Sequence, residues 1–170
     1  MKSIALWCLP SLRASIPIVN SGIDAFCRSN GFDSMDSQRL QVCVEGVFSY
    51  CVNNIRLLDR HEEITVKLFW EEHDLKVFIQ HCGPRGEWDE SLRDQSCPIR
   101  RTSFTAMGLF IARELLHSLN YESLFDVVQG RINNSYELVY RMQWAAEAGE
   151  NDSDIVSNED VDELLEYINT

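Results

Sequence analysis

The sequence predicts an α+β protein, a two-layer sandwich in which helices cover one face of a mixed, mostly antiparallel sheet. Segments with an apolar period of two residues occur before and after segments with a helical period, which is the pattern of such a fold. Two of the strand-like segments are separated only by a short polar turn, which is typical of an antiparallel hairpin. With 170 residues and 45% hydrophobic residues, the chain is large enough to bury one core.

The first half of the chain contains a predicted strand and two predicted helices. Residues 2–9 alternate weakly between apolar and polar side chains, as a strand does. Residues 11–30 carry a helical apolar stripe that Pro17 interrupts, and Gly31 follows as a typical helix end. Residues 37–54 have the clearest helical period. These segments supply one strand and most of the helical layer.

The second half contains a hairpin, a long connection, a helix and a second hairpin. Residues 63–69 and 74–80 alternate with a period of two and predict an antiparallel hairpin. The connection at 83–107 has little order, and a connection of this length in a compact domain indicates a functional lid or a disordered loop. The remaining predicted elements are a helix at 108–119 and strands at 123–128 and 136–142.

The negative charge of the chain is concentrated at its C-terminal end. The net charge is −12, and residues 142–170 contain nine carboxylates without a single Lys or Arg. A chain of this sign repels phosphate backbones, so we expect no nucleic-acid partner. Apolar residues recur at helical spacing after residue 160, which predicts a short amphipathic helix at 157–169. We therefore divide the chain into a domain at 1–142 and an acidic tail at 143–170.

The cysteines and the apolar segments predict a cytoplasmic protein. The six cysteines are widely spaced and form no C-x-x-C pair, so we expect free thiols in a reducing compartment. The apolar start of the chain stops at Pro10 and is followed by Arg13, which is too short and badly flanked for a signal peptide. No run of 18 apolar residues occurs, so we expect no membrane span.

Two glycine-containing motifs stand out, and 25 residues separate their glycines. Residues 81–85 read HCGPR at the end of a predicted strand, and residues 106–109 read AMGL at the start of a predicted helix. Backbone amides at a helix N-terminus are well suited to bind phosphates. The helix predicted at 37–54 also carries Glu45 and Ser49, whose spacing of four places them on one helical face.

These motifs resemble those of the anti-sigma-factor serine kinases of bacterial partner-switching systems. That family belongs to the histidine-kinase-like ATPase superfamily, together with histidine kinases, DNA gyrase B and Hsp90. The resemblance covers residues 2–142 in order and spacing, and it implies the histidine-kinase-like ATPase fold with Mg-ATP as cofactor. In the family, a Glu-x-x-x-Asn helix supplies the catalytic base and a Mg²⁺ ligand. The matching positions are Glu45 and Ser49, and Asn53 and Asn54 are further candidate ligands.

Several nucleotide-contacting positions depart from the family pattern. The aspartate that accepts a hydrogen bond from the adenine amino group is replaced by His81, and the second glycine of that motif is replaced by Arg85. Ser49 is a weaker Mg²⁺ ligand than the amide carbonyl of the family. We therefore expect ATP and Mg²⁺ to bind weakly or not at all. The candidate nucleotide-binding residues are Ser49, Asn53, His81, Gly83, Gly108 and Leu109, and Ser49 is also the candidate metal ligand.

Two function classes follow from the resemblance. The favoured one is a regulatory interaction protein, a pseudokinase that binds a sigma factor or an antagonist protein through its helical face. The alternative is an active ATP-dependent protein-serine kinase that acts on an anti-sigma-factor antagonist, with Glu45 as the base. The resemblance also implies a homodimer. The acidic tail is predicted to compete with the partner by docking near Arg93, Arg100 and Arg101.

Overall fold

The computed structural model describes residues 2–56, 62–71, 74–93 and 104–141. These residues form the predicted two-layer α+β fold, with one sheet and helices on one of its faces. The strands are β1 (Lys2–Pro10), β2 (Glu63–Glu71), β3 (Asp74–Cys82), β4 (Ser118–Asp126) and β5 (Arg131–Arg141). Their order across the sheet is β1-β2-β3-β5-β4. The sequence predicts a mixed sheet, but each pairing between these strands is antiparallel.

The helical layer is built around one long central helix. The helices are α1 (Ile16–Ser29), α2 (Ser34–Arg56), α3 (Asp89–Arg93) and α4 (Phe104–Leu115), and a 3-10 turn (Arg13–Ser15) precedes α1. The central helix α2 packs against both α1 and α4. Pro17 lies in the first turn of α1 and does not interrupt it, because the missing N–H of proline has no helical partner at that position.

The two faces of the sheet differ in their side chains. Alternate residues of β3, namely Leu75, Val77 and Ile79, are fully buried against the helices. Lys76 and Phe78 lie between them on the opposite face and are only partly buried. The predicted alternation of the first hairpin is therefore confirmed. The helix-facing side of the sheet forms the core, and the other side is called the open face below.

The helix α4 and the last hairpin begin earlier than their periodicity predicts. The helix starts at Phe104, whereas the sequence predicts a start at Gly108. The predicted extension of this helix to Leu119 is wrong, because Leu119 lies in β4. The N–H of His117 already donates to the carbonyl oxygen of Val139 at 2.9 Å. Pairing with the neighbouring strand thus replaces the helical hydrogen bonds at this point.

The polar residues 133–135 lie inside β5, whereas the sequence places them in the connection between the predicted strands at 123–128 and 136–142. Asn134 is paired with His81 on β3, and its side chain is 1% exposed. The described part of the predicted lid also contains a helix, α3, which begins at Asp89. At both places the polar residues predict a loop, but they lie in a strand or a helix. Their hydrogen-bond partners come from distant parts of the chain, which the local sequence does not show.

Several predictions fall outside the described part of the chain. They concern the domain boundary at 142, the tail helix at 157–169, and the two arginines Arg100 and Arg101. These stay predictions. Among the helices that are described, none is long and apolar enough to cross a membrane.

Candidate functional site

The end of β3 places His81 in a buried position beneath the helical layer. Its side chain is 4% exposed, and its ring stacks on the ring of Tyr136 with centroids 5.9 Å apart. Burial lowers the pKa of the His81 imidazole, which favours the neutral ring. The Nδ1 atom lies 3.3 Å from the carbonyl oxygen of Cys82, so in a neutral ring it is the nitrogen that carries the hydrogen. The Nε2 atom is then an acceptor, buried without a hydrogen-bond partner.

A carboxylate that the sequence motifs do not identify lies close to His81. Asp89 begins α3 and is fully buried. Its Oδ1 accepts a hydrogen bond from the hydroxyl of Tyr136 at 2.9 Å, and its Oδ2 accepts one from the N–H of Gly86 at 2.6 Å. Burial raises the pKa of the Tyr136 hydroxyl, so it remains a donor at neutral pH. Asp89 therefore ties the loop after β3 to strand β5.

Residues of α2 contact the same loop from the other side. The hydroxyl of Tyr50 accepts a hydrogen bond from the N–H of Trp88 at 2.9 Å. A Cβ atom at Gly86 would lie 2.0 Å from the Tyr50 hydroxyl oxygen and 2.3 Å from Nδ2 of Asn54. A side chain at this position would have to displace the ends of Tyr50 and Asn54, so glycine permits this close approach. The ring of Tyr50 also packs edge-on against Tyr136 at 6.1 Å, which closes the space between α2 and β5.

Gly83 and Asn134 complete this arrangement, which we call the buried polar cluster: Tyr50, His81, Asp89, Asn134 and Tyr136. The N–H of Gly83 donates to the carbonyl oxygen of Ile132 at 3.0 Å. The carbonyl oxygen of Gly83 accepts a hydrogen bond from Asn134 Nδ2 at 3.0 Å. Gly83 has φ of +149°, a conformation that side chains disfavour. Its role in this structure is thus to turn the chain while both of its polar backbone groups bind β5.

Gly108 lies at a helix crossing. A Cβ atom at Gly46 would lie 2.6 Å from the carbonyl oxygen of Gly108, and one at Gly108 would lie 2.9 Å from Cα of Gly46. The two helices α2 and α4 therefore touch backbone to backbone. Gly108 is the fifth residue of α4, beyond the free amides of a helix N-terminus, and Leu109 is fully buried in the core. The expectation that Gly108 opens the helix is wrong.

Glu45 lies on a different side of α2 from the cluster. Its carboxylate is exposed to solvent, and its Oε2 accepts a hydrogen bond from Asn20 Nδ2 of α1 at 2.5 Å. At about 100° per residue, Glu45 and Tyr50 are about 140° apart around the helix axis. Ser49 and Asn53 follow Glu45 along α2 and are partly buried. The structure brings His81 and Gly83 together but keeps Glu45 apart from them.

Contacts within the protein fill the region around the buried polar cluster. The space between α2 and the end of β3 is occupied by Tyr50, Tyr136 and the loop at Gly86. Within the cluster, Nε2 of His81 is buried without a hydrogen-bond partner, and so is Nδ2 of the neighbouring Asn54. No group of three His, Cys, Asp or Glu side chains suited to a metal ion occurs in the residues that the structure describes.

The motifs identify only part of the cluster. Asp89 lies in a polar stretch that resembles a loop, and Tyr136 is one of several apolar residues in an alternating strand. One signal was present in the sequence: Asp89 and Glu90 precede Leu92 and Arg93, which is the charge order of a short helix. The burial of Asp89 depends on Tyr136, which is 47 residues away in the chain.

Comparison with known proteins gives a structural likeness. No protein-family model matches the chain, and a comparison with curated proteins found no match. Among solved structures, the chain is similar to a chain in the crystal structure of the SiaB-SiaC complex from Pseudomonas aeruginosa, with a TM-score of 0.63 and 14% identity. The likeness covers 81% of this chain and 90% of that chain. At this identity it shows the fold alone: the protein shares a two-layer α+β fold with a protein that was crystallised in a complex.

Proposed function

We propose that this protein is a regulatory protein of the partner-switching type, which acts by binding another protein and has weakened or lost nucleotide chemistry. One observation carries the second half of this proposal. The loop after β3 lies against α2 so closely that a side chain at Gly86 would have to displace the end of Tyr50. That loop and helix form the walls of the nucleotide site in the family that the sequence resembles. Because this loop and this helix are in direct contact, partner binding is the function that the fold supports best.

Two observations support the partner-binding half. The similar solved structure is that of a complex between two proteins. In addition, large apolar side chains are exposed on the helical elements of this protein and at the tip of the β4–β5 hairpin. They are Leu12, Ile18, Met35, Leu124, Phe125, Val127 and Val128. Leu124, Phe125, Val127 and Val128 lie close together at the hairpin tip, and clustered exposed apolar side chains are a common mark of a protein-protein contact. A sigma factor or an antagonist protein is the partner that the sequence resemblance implies.

Mg-ATP is expected to bind weakly or not at all. The buried acceptor at His81 replaces a carboxylate that pairs with the adenine amino group, and an unpaired buried polar edge costs about 1 to 3 kcal/mol, or roughly a 5- to 150-fold loss of affinity. Calorimetric titration of the full chain with Mg-ATP and with ADP measures this directly. If any binding is detected, His81→Asp should tighten it, and Ser49→Asn should increase its dependence on Mg²⁺.

A matched control is His117→Asp, which makes the same substitution at an exposed position outside the cluster. It should leave nucleotide binding unchanged. A dissociation constant in the low micromolar range for the unmodified protein, or nucleotide retained through purification, would contradict the proposal. That result would instead favour the alternative function, an active protein-serine kinase in which Glu45, exposed and held by Asn20, is the base.

The acidic tail is proposed to regulate partner binding. Truncation after Met142 should raise the affinity for the partner about tenfold at low ionic strength, and less at high ionic strength, because attraction between exposed charges is screened by salt. The measurement is a titration of full-length and truncated protein with purified sigma factors and antagonist proteins from the same genome. The truncation leaves all described strands and helices in place, since β5 ends at Arg141.

A second tail variant separates charge from docking. Replacing Val161, Leu164, Leu165 and Ile168 by serine keeps all nine tail carboxylates but removes the apolar stripe. If the tail acts as a docked helix, this variant should bind the partner as tightly as the truncated protein. Equal affinities of the full-length and truncated proteins at every salt concentration would show that the tail is not autoinhibitory.

A further inference from the structure

The strand β4 forms one edge of the sheet. In the described part of the chain it pairs with β5 alone, so every second residue of β4 directs its backbone N–H and C=O groups away from the sheet. Its register with β5 is continuous from Ser118 to Asp126, and its nine residues include no proline and no lysine. Proteins commonly block an edge strand with these residues or with a β-bulge. The residues of β4 therefore do not block pairing with another strand.

The strand β1 at the opposite edge of the sheet is different. Its register with β2 shifts between Ser3 and Ala5, and it ends at Pro10. A register shift and a proline both interrupt the row of backbone groups that an added strand needs. Of the two edges, β4 is thus the one that is suited to accept another strand.

A depression on the open face adjoins β4, and the residues that line it are Phe78, Asn120, Glu122, Ser135 and Glu137. Glu137 accepts a hydrogen bond from Nδ2 of Asn120 at 3.3 Å, whereas the side chain of Glu122 is exposed. Among the described residues, the lining thus combines two carboxylates with an aromatic ring and includes no cationic side chain. Carboxylates and aromatic rings both attract ammonium and guanidinium groups. A lysine or arginine side chain is therefore the group that this depression suits.

The helix-facing side of β4 ends in an exposed aromatic residue, Phe125. Arg93 of α3 covers the residues before it on this side. The guanidinium of Arg93 lies 5.3 Å from the ring centroid of Tyr121, and its Nη2 donates to Oγ of Ser123 at 3.1 Å. Phe125 itself is 63% exposed. A strand beside β4 would therefore find an apolar contact at Phe125 and an anionic contact at Glu122 on the opposite face.

We propose that the edge of β4 binds an extended segment of the partner protein as an added strand, and that this segment alternates between basic and apolar residues. The inference rests on the proposed function, and it names the surface and the mode of partner binding. A basic residue of the segment lies beside Glu122, because side chains directly opposite each other on neighbouring strands are about 4.5 to 5.5 Å apart. An apolar residue on the other face of the segment contacts Phe125.

The two parts of this contact have different roles. In complexes that extend a sheet, the backbone hydrogen bonds supply much of the affinity, and the alternate side chains supply the specificity. The net charge of −12 also attracts a basic segment and repels an acidic one. The edge of β4 is thus expected to select for charge and for alternation together.

A peptide of nine alternating lysine and valine residues with blocked ends is the probe, because it matches the length of β4 and the expected pattern of the partner segment. Amide hydrogen exchange of the full chain is followed residue by residue by NMR, without and with the peptide. The outward N–H groups of β4 should exchange rapidly in the free protein and at least about tenfold more slowly with saturating peptide. The N–H groups of β1 should not change.

Methylation of the peptide backbone separates an added strand from a contact of side chains alone. Lysine and valine N–H groups point to opposite edges of an extended peptide, and only one edge faces β4. Of two peptides, one methylated at the lysine nitrogens and one at the valine nitrogens, we expect one to bind like the unmodified peptide and the other to lose binding.

Charge reversal tests the side-chain contact. Glu122→Lys should weaken peptide binding about tenfold, because it places like charges side by side. Glu114→Lys is the matched control at an exposed position on α4, and it should change the affinity by less than about twofold. A peptide of the same composition, with its lysines and valines in two blocks, accounts for attraction to the acidic tail. It should bind at least about tenfold more weakly than the alternating peptide.

Absence of peptide binding would overturn the proposal, and so would equal binding of the two methylated peptides. Slow exchange of the outward β4 amides in the free protein would also overturn it, because this chain or a second copy would then cover the edge. The purified sigma factors and antagonist proteins give a separate result. If one of them binds and Glu122→Lys leaves its affinity unchanged, this inference is wrong and the proposed function stands. If the peptide binds and none of these proteins does, the edge stands and the proposed function is wrong.

Discussion

Gly46→Val is expected to lower the free energy of unfolding by about 2 to 3 kcal/mol. A Cβ atom at this position would lie 2.6 Å from the carbonyl oxygen, 2.9 Å from the carbonyl carbon and 3.1 Å from Cα of Gly108. These are backbone atoms of α4, so the overlap is relieved only if the two helices move apart. The gain in helix propensity on replacing glycine, about 0.4 kcal/mol for valine, is too small to offset this cost. Urea unfolding measures the change.

Ala25→Val is a suitable comparison, because Ala25 is an exposed residue of α1 and the substitution adds the same β-branched side chain to a helix. It should cost only a few tenths of a kcal/mol. Gly108→Val should resemble Gly46→Val, since its Cβ atom would lie 2.9 Å from Cα of Gly46. If Gly46→Val were no more destabilising than Ala25→Val, this result would contradict the close approach of α2 and α4.

The parts of the fold with strong periodicity could be predicted from the sequence. The hairpin predicted at 63–69 and 74–80 is found at Glu63–Glu71 and Asp74–Cys82, and the helix predicted at 37–54 is found at Ser34–Arg56. In each case the apolar period is a local property, because residues two, three or four apart share a face. The helix and the strands extend beyond the residues with a regular apolar period, because polar residues also occupy their ends.

The candidate site depends on contacts that no local pattern encodes. Gly46 and Gly108 are 62 residues apart, and each alone looks like a glycine in an unremarkable helix or a phosphate motif. The motif at residues 81–85 did locate the loop that faces α2. It did not show that the loop is held closed, because the groups that hold it, Tyr50 and Asp89, come from outside the motif. The motif thus identified the loop that faces α2, but not the contacts that hold this loop closed.

Asp89→Ala is expected to lower the free energy of unfolding by about 3 kcal/mol. The substitution leaves the buried hydroxyl of Tyr136 and the N–H of Gly86 without their acceptor, and each unsatisfied buried group costs about 1 to 3 kcal/mol. Tyr136→Phe removes one of these hydrogen bonds and should cost about 1 to 2 kcal/mol. In the double variant the two losses should overlap by about 1 kcal/mol, since they share that bond.

Glu87→Ala is the control for this set, because Glu87 is an exposed carboxylate in the same loop. It should change the unfolding free energy by less than about 0.5 kcal/mol. Fully additive losses in Asp89→Ala and Tyr136→Phe, or a loss at Asp89 no larger than that at Glu87, would contradict the hydrogen bond between them. The same variants also separate two reasons for the weak nucleotide binding that we propose. If the closed loop is the cause, Asp89→Ala should bind Mg-ATP better than the unmodified protein although it is less stable. If the residue at position 81 is the cause, only His81→Asp should do so.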